Sequence, residues 1–317
     1  MSERDSVKIN DTPAWIDEAL GGNRATFARL LTAIENQSHE LPAVLNAVSA
    51  RVGGTRIVGV TGAPGVGKST LINGLLKALR QRELSVAVLA VDPSSTFTGG
   101  AVLGDRVRMG ELQGDPGVFV RSLATRGHLG GLTATATMIV DAFDAAGWDI
   151  VIAETVGVGQ AEIDIAALAH ATVVVCAPGL GDVVQGIKAG IMEIADVLVL
   201  NKADLPNADL ATRQLTEAVE YMPQAARPAL VQTVAKTDVG VAALAELVVD
   251  HCPKTATPDQ GERRRRVRRL LTAFSVLRLR DRLDTSKAQA FDDICDAVLE
   301  DGLDFEAAAA RTLTLGA

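Results

Sequence analysis

Residues 56–80 read RIVGVTGAPGVGKSTLINGLLKALR. A short β-branched run over 56–61 ends in a glycine-rich turn, and the turn opens directly into a helical pattern. Within it, Gly62-Ala63-Pro64-Gly65-Val66-Gly67-Lys68-Ser69 fits the phosphate-binding spacing GxxxxGK[ST]. Glycines at these positions let the backbone curl so that its N–H groups face phosphate oxygens. The helix that starts through Lys68, Ser69 and Thr70 adds the positive potential of its N-terminus. Lys68 has the reach for β- and γ-phosphates, and the Ser69 hydroxyl suits Mg²⁺. At average residue usage such a spacing arises by chance in roughly one chain in a hundred of this length. A strand before it and a helix after it make coincidence rarer still.

Outward from this segment the same texture repeats. Apolar runs at 85–92, 149–155, 171–178, 196–201 and 227–235 alternate with longer helical patterns. Continuous apolar strands separated by helices imply βαβ units and a parallel sheet covered on both faces. The expected fold is therefore α/β, with a P-loop domain and a mainly parallel sheet over 53–255. Before it, residues 1–52 read as a helical extension. Thr12-Pro13 provides a helix start, and Phe27, Leu30, Leu31 and Ile34, then Val44, Leu45 and Val48, recur at helical spacing. After it, 256–317 reads as a C-terminal helical arm. Its run ERRRRVRRLLTAFSVLRLRDRL (262–283) places Val267, Leu270, Leu271, Phe274 and Leu277 on one helix face.

Asn201-Lys202-Ala203-Asp204 selects the base. It follows the apolar strand VLVL, as a guanine-reading NKxD element must. The Asp204 carboxylate accepts both N1–H and the exocyclic amine of guanine; adenine offers neither donor and would strand a desolvated carboxylate. Lys202 would lie along the base and Asn201 would tie this loop to the P-loop. Val234-Ala235-Lys236 stands where guanine-binding proteins carry Ser-Ala-Lys, whose backbone approaches O6; valine in place of serine predicts a differently ordered loop. Three acids compete for the metal and the attacking water: Asp92, Asp105 and Glu154. Carboxylates at the C-terminal edge of a parallel sheet converge on the ligand cleft, and Mg²⁺ wants an octahedral oxygen shell. Asp92 and Asp105 are the stronger candidates to orient the water.

Composition narrows the class. The 317 residues are 48% apolar and 22% charged, the makeup of a globular chain with a large core. No uninterrupted apolar run of about 18 residues is present, so no membrane helix is expected. The start MSERDSVKIND lacks an apolar leader, and three scattered cysteines form no CxxC pair, which suits a reducing cytoplasm. A net charge of −8 and only 3% aromatic residues argue against nucleic-acid binding. Residues 259–283 hold nine arginines against Asp259, Glu262 and Asp281. With no aromatics interleaved, that run reads as the solvated rim of a helix packed on a neighbour or on a twin subunit.

The runs VDPSSTFTGGAVLGDRVRM (91–109), ETVGVGQAE (154–162) and PGLGDVVQGIKAGIMEIADVLVLNKADL (178–205) resemble the MeaB/ArgK family, the GTPases associated with methylmalonyl-CoA mutase. The likeness spans about 20–315. It implies a homodimeric GTPase, dimerised by the C-terminal arm, that couples slow, partner-stimulated GTP hydrolysis to cofactor loading and protection of an adenosylcobalamin-dependent acyl-CoA mutase. Switch segments would fall near 92–109, 154–162 and 178–193, with Gln160, Asp182, Gln185, Lys188 and Glu193 as contact candidates. Phe97, Val107, Val183, Gly186 and Val234 depart from the usual family residues and leave the identity of the mutase open. Arg106, Arg108, Arg121 and Arg126 are near enough in sequence to consider as a stimulating arginine. Two other classes compete. A nickel-insertion GTPase would carry Cys and His ligands at the site, whereas His39, His128, His170 and His251 are scattered. A non-catalytic scaffold stabilised by nucleotide would release no phosphate.

Overall fold

A computed structural model describes residues 13–51, 53–92, 114–124, 131–155, 167–179, 191–252, 260–285 and 288–314. Seven strands form one sheet: β1 Arg56–Thr61, β2 Val86–Asp92, β3 Val118–Ala124, β4 Ile150–Thr155, β5 Ala171–Cys176, β6 Val197–Leu200 and β7 Ala229–Gln232. All pairings are parallel and the order is β3-β2-β4-β1-β5-β6-β7. Burial grades across it as covered parallel strands require. β4, β5 and β6 are buried at every position, whereas the edge strand β7 is only partly covered. Chain connections leave β1 for β2 on one side while β4 crosses to β5 on the other. That reversal opens a crevice at the C-terminal strand ends, where open α/β sheets bind ligands.

Strand β3 was not expected. Its sequence VFVRSLA carries Arg121 and Ser122, and both are tolerable because β3 is the other edge of the sheet. Two helices hold it. Helix α2 (Arg24–Glu35) sends Arg24 to the carbonyls of Pro116 (2.9 Å) and Val118 (2.7 Å), with its guanidinium over the Phe119 ring. Arg121 pairs with Glu35 and donates to the Thr32 hydroxyl at 3.2 Å. Helix α4 (Lys68–Arg80) contributes Arg80, bidentate to Asp115 at 2.9 and 3.1 Å. That guanidinium, with the Gly117 N–H, holds the Asp115 carboxyl below its ordinary range.

The N-terminal extension forms α1 (Ala14–Leu20), α2 and α3 (Leu41–Ala50). Pro13 is the cap of α1 rather than its first helical residue. Helix α5 (Gly131–Ala145) completes this side of the sheet. Here four of the ten aromatic residues meet: Phe27, Phe119, Phe143 and Trp148, with ring centroids 5.3–6.0 Å apart. The opposite face is covered by α4 and α7 (Val241–His251), and α6 (Ala208–Glu220) flanks β6.

The C-terminal segment forms α8 (Gln260–Thr285), α9 (Ala288–Leu299) and α10 (Phe305–Thr314). Helix α8 packs along α5, but not on the expected face. Leu270 and Leu277 are buried and Phe274 partly so, while Val267 and Leu271 point outward; the inner stripe is Arg266, Leu270, Ala273 and Leu277. Its 4-3-4 spacing is a regular helix seam. An apolar reading could not include Arg266, which is buried because α5 supplies its counter-charge. Asp144 pairs with Arg266, and Asp141 accepts from Arg269 at 2.6 Å. Two of the nine arginines therefore face the core. No described helix is long and apolar enough to cross a membrane.

Candidate functional site

The P-loop leaves β1 as the sequence requires. Gly62 has φ 142°, and a Cβ there would lie 2.1 Å from the Val175 carbonyl oxygen of β5. Gly67, at φ 98°, leads into α4, and a Cβ there would come within 2.5 Å of the Asn201 amide. Both positions thus need glycine for their backbone angle and for close approach. Val66 is buried beneath the loop, Pro64 and Gly65 form its exposed crest, and Ala63 is half-buried. Lys68 is buried, with Nζ donating to the Gly62 carbonyl at 2.5 Å and the Ala63 carbonyl at 3.1 Å. Its ammonium is therefore held inside the curl of backbone that would surround a phosphate. Ser69 follows in the first turn of α4, and Thr70 is exposed beside it.

On the metal side, the Ser69 hydroxyl donates to Glu154 Oε1 at 2.9 Å, and Glu154, at the end of β4, is buried. The serine proton is thereby committed to the carboxylate, and the oxygen lone pairs remain for a cation. This donor set fits Mg²⁺, which prefers hard oxygen ligands. Asp92 closes β2 one position beyond the rung that pairs Val91 with Thr155, so its backbone belongs to the same sheet edge. The Asp92 side chain and the whole of Asp105 lie outside the described residues.

On the base side, Asn201 is the hub. Its Nδ2 donates to the Val66 carbonyl (2.8 Å), while Oδ1 accepts from Ala235 N–H (3.0 Å) and the Thr233 hydroxyl (3.1 Å). Lys202, in the left-handed region at φ 58°, extends Nζ to the Gly65 carbonyl at 2.6 Å. One strand end thus ties together the P-loop and the 233–240 loop. Asp204 is exposed and has no hydrogen-bond partner among the described residues, which leaves its carboxylate for a ligand. The loop that carries Val234 is ordered without a serine hydroxyl at that position. Order comes from the backbone instead: Val234 and Val239 form an antiparallel bridge, and Thr237 N–H closes on the Val234 carbonyl at 3.0 Å. Lys236 sits exposed at its turn.

The structure therefore brings together Gly62–Thr70, Glu154, Asn201, Lys202, Asp204 and Val234–Lys236. Of the contact candidates, Glu193 is an exposed residue of the short 3-10 turn Ile191–Ile194. Gln160, Asp182, Gln185 and Lys188 lie outside the described residues, as do Phe97, Val107, Val183 and Gly186. Among the arginines considered, Arg121 is engaged by Glu35 on α2; Arg106, Arg108 and Arg126 are not described. Sequence reasoning missed Thr233, whose buried hydroxyl braces Asn201. The signal available was a threonine immediately after strand β7, at the start of the base loop.

Residues 27–289 match the family model described as methylmalonyl Co-A mutase-associated GTPase MeaB. The chain is 41% identical over 298 residues to the GTPase PH0274 of Pyrococcus horikoshii, covering 91% of this chain and 93% of that one. It is 44% identical over 166 residues to the mitochondrial methylmalonic aciduria type A homolog of Caenorhabditis elegans, covering 52% and 41%. The crystal structure of LAO/AO transport system kinase has the same fold, with TM-score 0.64 at 24% identity over 98% of both chains. Phosphate loop, guanine-reading loops and family match agree: the chain is a P-loop GTPase and belongs to the MeaB family.

Proposed function

We propose that this protein is a GTP-hydrolysing chaperone for an adenosylcobalamin-dependent acyl-CoA mutase. In this reading, GTP binding and hydrolysis are coupled to cofactor loading and to protection of the mutase, in the cytoplasm. The observation that carries it is the pre-assembled guanine pocket, with Asn201 bridging P-loop and base loop and Asp204 left open. The step from GTPase to mutase chaperone rests on the family and on its relative named for methylmalonic aciduria.

Lys68 would neutralise the phosphates, exchanging its bonds to Gly62 and Ala63 for phosphate oxygens. Ser69 would ligate Mg²⁺ directly, with Glu154, Asp92 and Asp105 holding its waters or orienting the attacking one. Bound there, the metal would supply charge neutralisation to the nucleotide phosphates. Residues 92–109, 154–162 and 178–193 would serve as switches, with Gln160, Asp182, Gln185, Lys188 and Glu193 offered to the mutase. We assign 1–52 as an N-terminal helical extension, 53–255 as the nucleotide domain and 256–317 as the dimerisation arm. The outward Val267 and Leu271, one turn apart on α8, would give that arm an apolar patch for a second copy.

The deciding assay is phosphate release from Mg·GTP and from Mg·ATP, each with and without a cobalamin-dependent mutase. A slow GTP-selective rate that rises with the mutase is expected. Equal GTP rates with and without every mutase offered would remove the chaperone coupling, and a preference for ATP would overturn the base assignment. Lys68→Ala should abolish turnover with the circular dichroism spectrum unchanged.

A further inference from the structure

The two strands that end beneath the phosphate loop are apolar until their last residues. β1 runs through Ile57, Val58, Gly59 and Val60, and β4 through Ile150, Val151, Ile152 and Ala153, all buried. Yet β1 ends on Thr61 and β4 on Thr155. Both are 1% exposed, and the Thr155 hydroxyl donates to the Thr61 hydroxyl at 3.1 Å. Valine has the same branched shape and suits a strand equally well, without the cost of desolvating a hydroxyl. Two buried hydroxyls here are sustained by each other.

Their placement gives the pair a role. Val60 lies opposite Glu154 in the parallel register, so Thr61 and Thr155 are the next rung. Thr61 precedes Gly62, whose carbonyl holds Lys68; Thr155 follows Glu154, whose carboxylate holds Ser69. Side chains alternate along a strand, so the hydroxyl pair lies on the sheet face opposite Glu154. It therefore touches neither phosphate nor metal, and acts by pinning two backbones at the point where the P-loop and the metal-side acid diverge.

We infer that Thr61 and Thr155 are positioning residues for the metal side of the nucleotide site, setting the separation of the P-loop from Glu154 and hence the Ser69–Glu154 geometry. This inference rests on the Mg·GTP reading above. Breaking the pair should loosen Mg²⁺-dependent retention of nucleotide more than it affects the fold.

The test is release of a fluorescent GDP analogue as a function of free Mg²⁺, alongside thermal unfolding without nucleotide. Thr155→Val should need about 3–10-fold more Mg²⁺ for half-maximal retention, the worth of one hydrogen bond, with a Tm equal to or above that of the parent. Thr155→Ser should restore the parent midpoint. Thr61→Val should match Thr155→Val, and the double valine variant should be no worse than either, because the pair is already broken. A parent-like Mg²⁺ midpoint in both single valine variants overturns the inference alone. So does an equal loss of retention with and without Mg²⁺. Release from the parent protein that is indifferent to Mg²⁺ overturns the metal reading and takes this inference with it.

Discussion

Two aspartates one turn apart on α5 should respond oppositely to the same substitution. Asp144 is fully buried and fully used: Oδ2 accepts Gly53 N–H at 2.9 Å, Oδ1 accepts Thr55 N–H at 2.9 Å, and Arg266 closes the cluster while also donating to the Gly53 carbonyl at 3.2 Å. Asp144→Asn removes the counter-charge of an arginine that is only 4% exposed, and turns an amide donor toward a backbone donor. Breaking a buried pair from one side costs about 3–5 kcal/mol. At roughly 2 °C per kcal/mol for a chain of this size, Tm should fall by about 6–10 °C. Asp141 is equally buried, but its Oδ2 has no hydrogen-bond partner among the described residues, and Arg269 keeps 28% of its side chain in contact with solvent. Burial pushes the Asp141 carboxyl above its ordinary pKa, against the opposing pull of Arg269. The folded state therefore holds that proton more tightly than the unfolded chain. Its stabilising contribution is full below the unfolded pKa and is lost as pH rises through the raised folded value. Asp141→Asn should accordingly be within about 1 kcal/mol of the parent or more stable at neutral pH, and relatively less favourable in acid. Urea unfolding followed by far-UV circular dichroism at pH 4.5 and 7.5 measures both. Equal losses for the two variants, or a loss below about 1 kcal/mol for Asp144→Asn, would refute the reasoning.

Asp204→Asn replaces an acceptor with a donor toward the base. GDP affinity should fall roughly 10²-fold while xanthosine diphosphate binds better, read by competition against a fluorescent nucleotide. Burial raises the Cys252 thiol to about 12, Cys176 is also buried and Cys295 is exposed. One thiol should therefore react with a disulfide reagent at pH 8 in the native protein and three in denaturant. Arg24→Ala removes the donors that hold the Pro116 and Val118 carbonyls and the cation over Phe119, and should cost about 1–2 kcal/mol by urea unfolding.

What could be read from the sequence followed how locally each feature is determined. The P-loop and Asn201-Lys202-Ala203-Asp204 were legible because strand end, glycine and ligand-facing residue are fixed within a few positions. The central strands were legible because they are buried on both faces and so read as continuous apolar runs. Strand β3 was not, since an edge strand tolerates Arg121 and Ser122, and its anchors Arg24 and Arg80 lie far away in the chain. The face of α8 was misjudged for a related reason. Arg266 is a core residue only because Asp144 waits 122 positions earlier, and Asp141 and Asp144 in turn look like a solvent face of α5.

The ties made by Asn201 also set an order of events for a growing chain. Its partners are Val66, 135 positions before it, and Ala235, 34 positions after it. A ribosome-bound chain that has released the P-loop and even the Asn201 strand still lacks the backbone that closes the base pocket. With synthesis running at about 5–20 residues per second, those last 34 residues take several seconds to appear. Capture through a closed base pocket therefore waits for a domain that is already nearly complete.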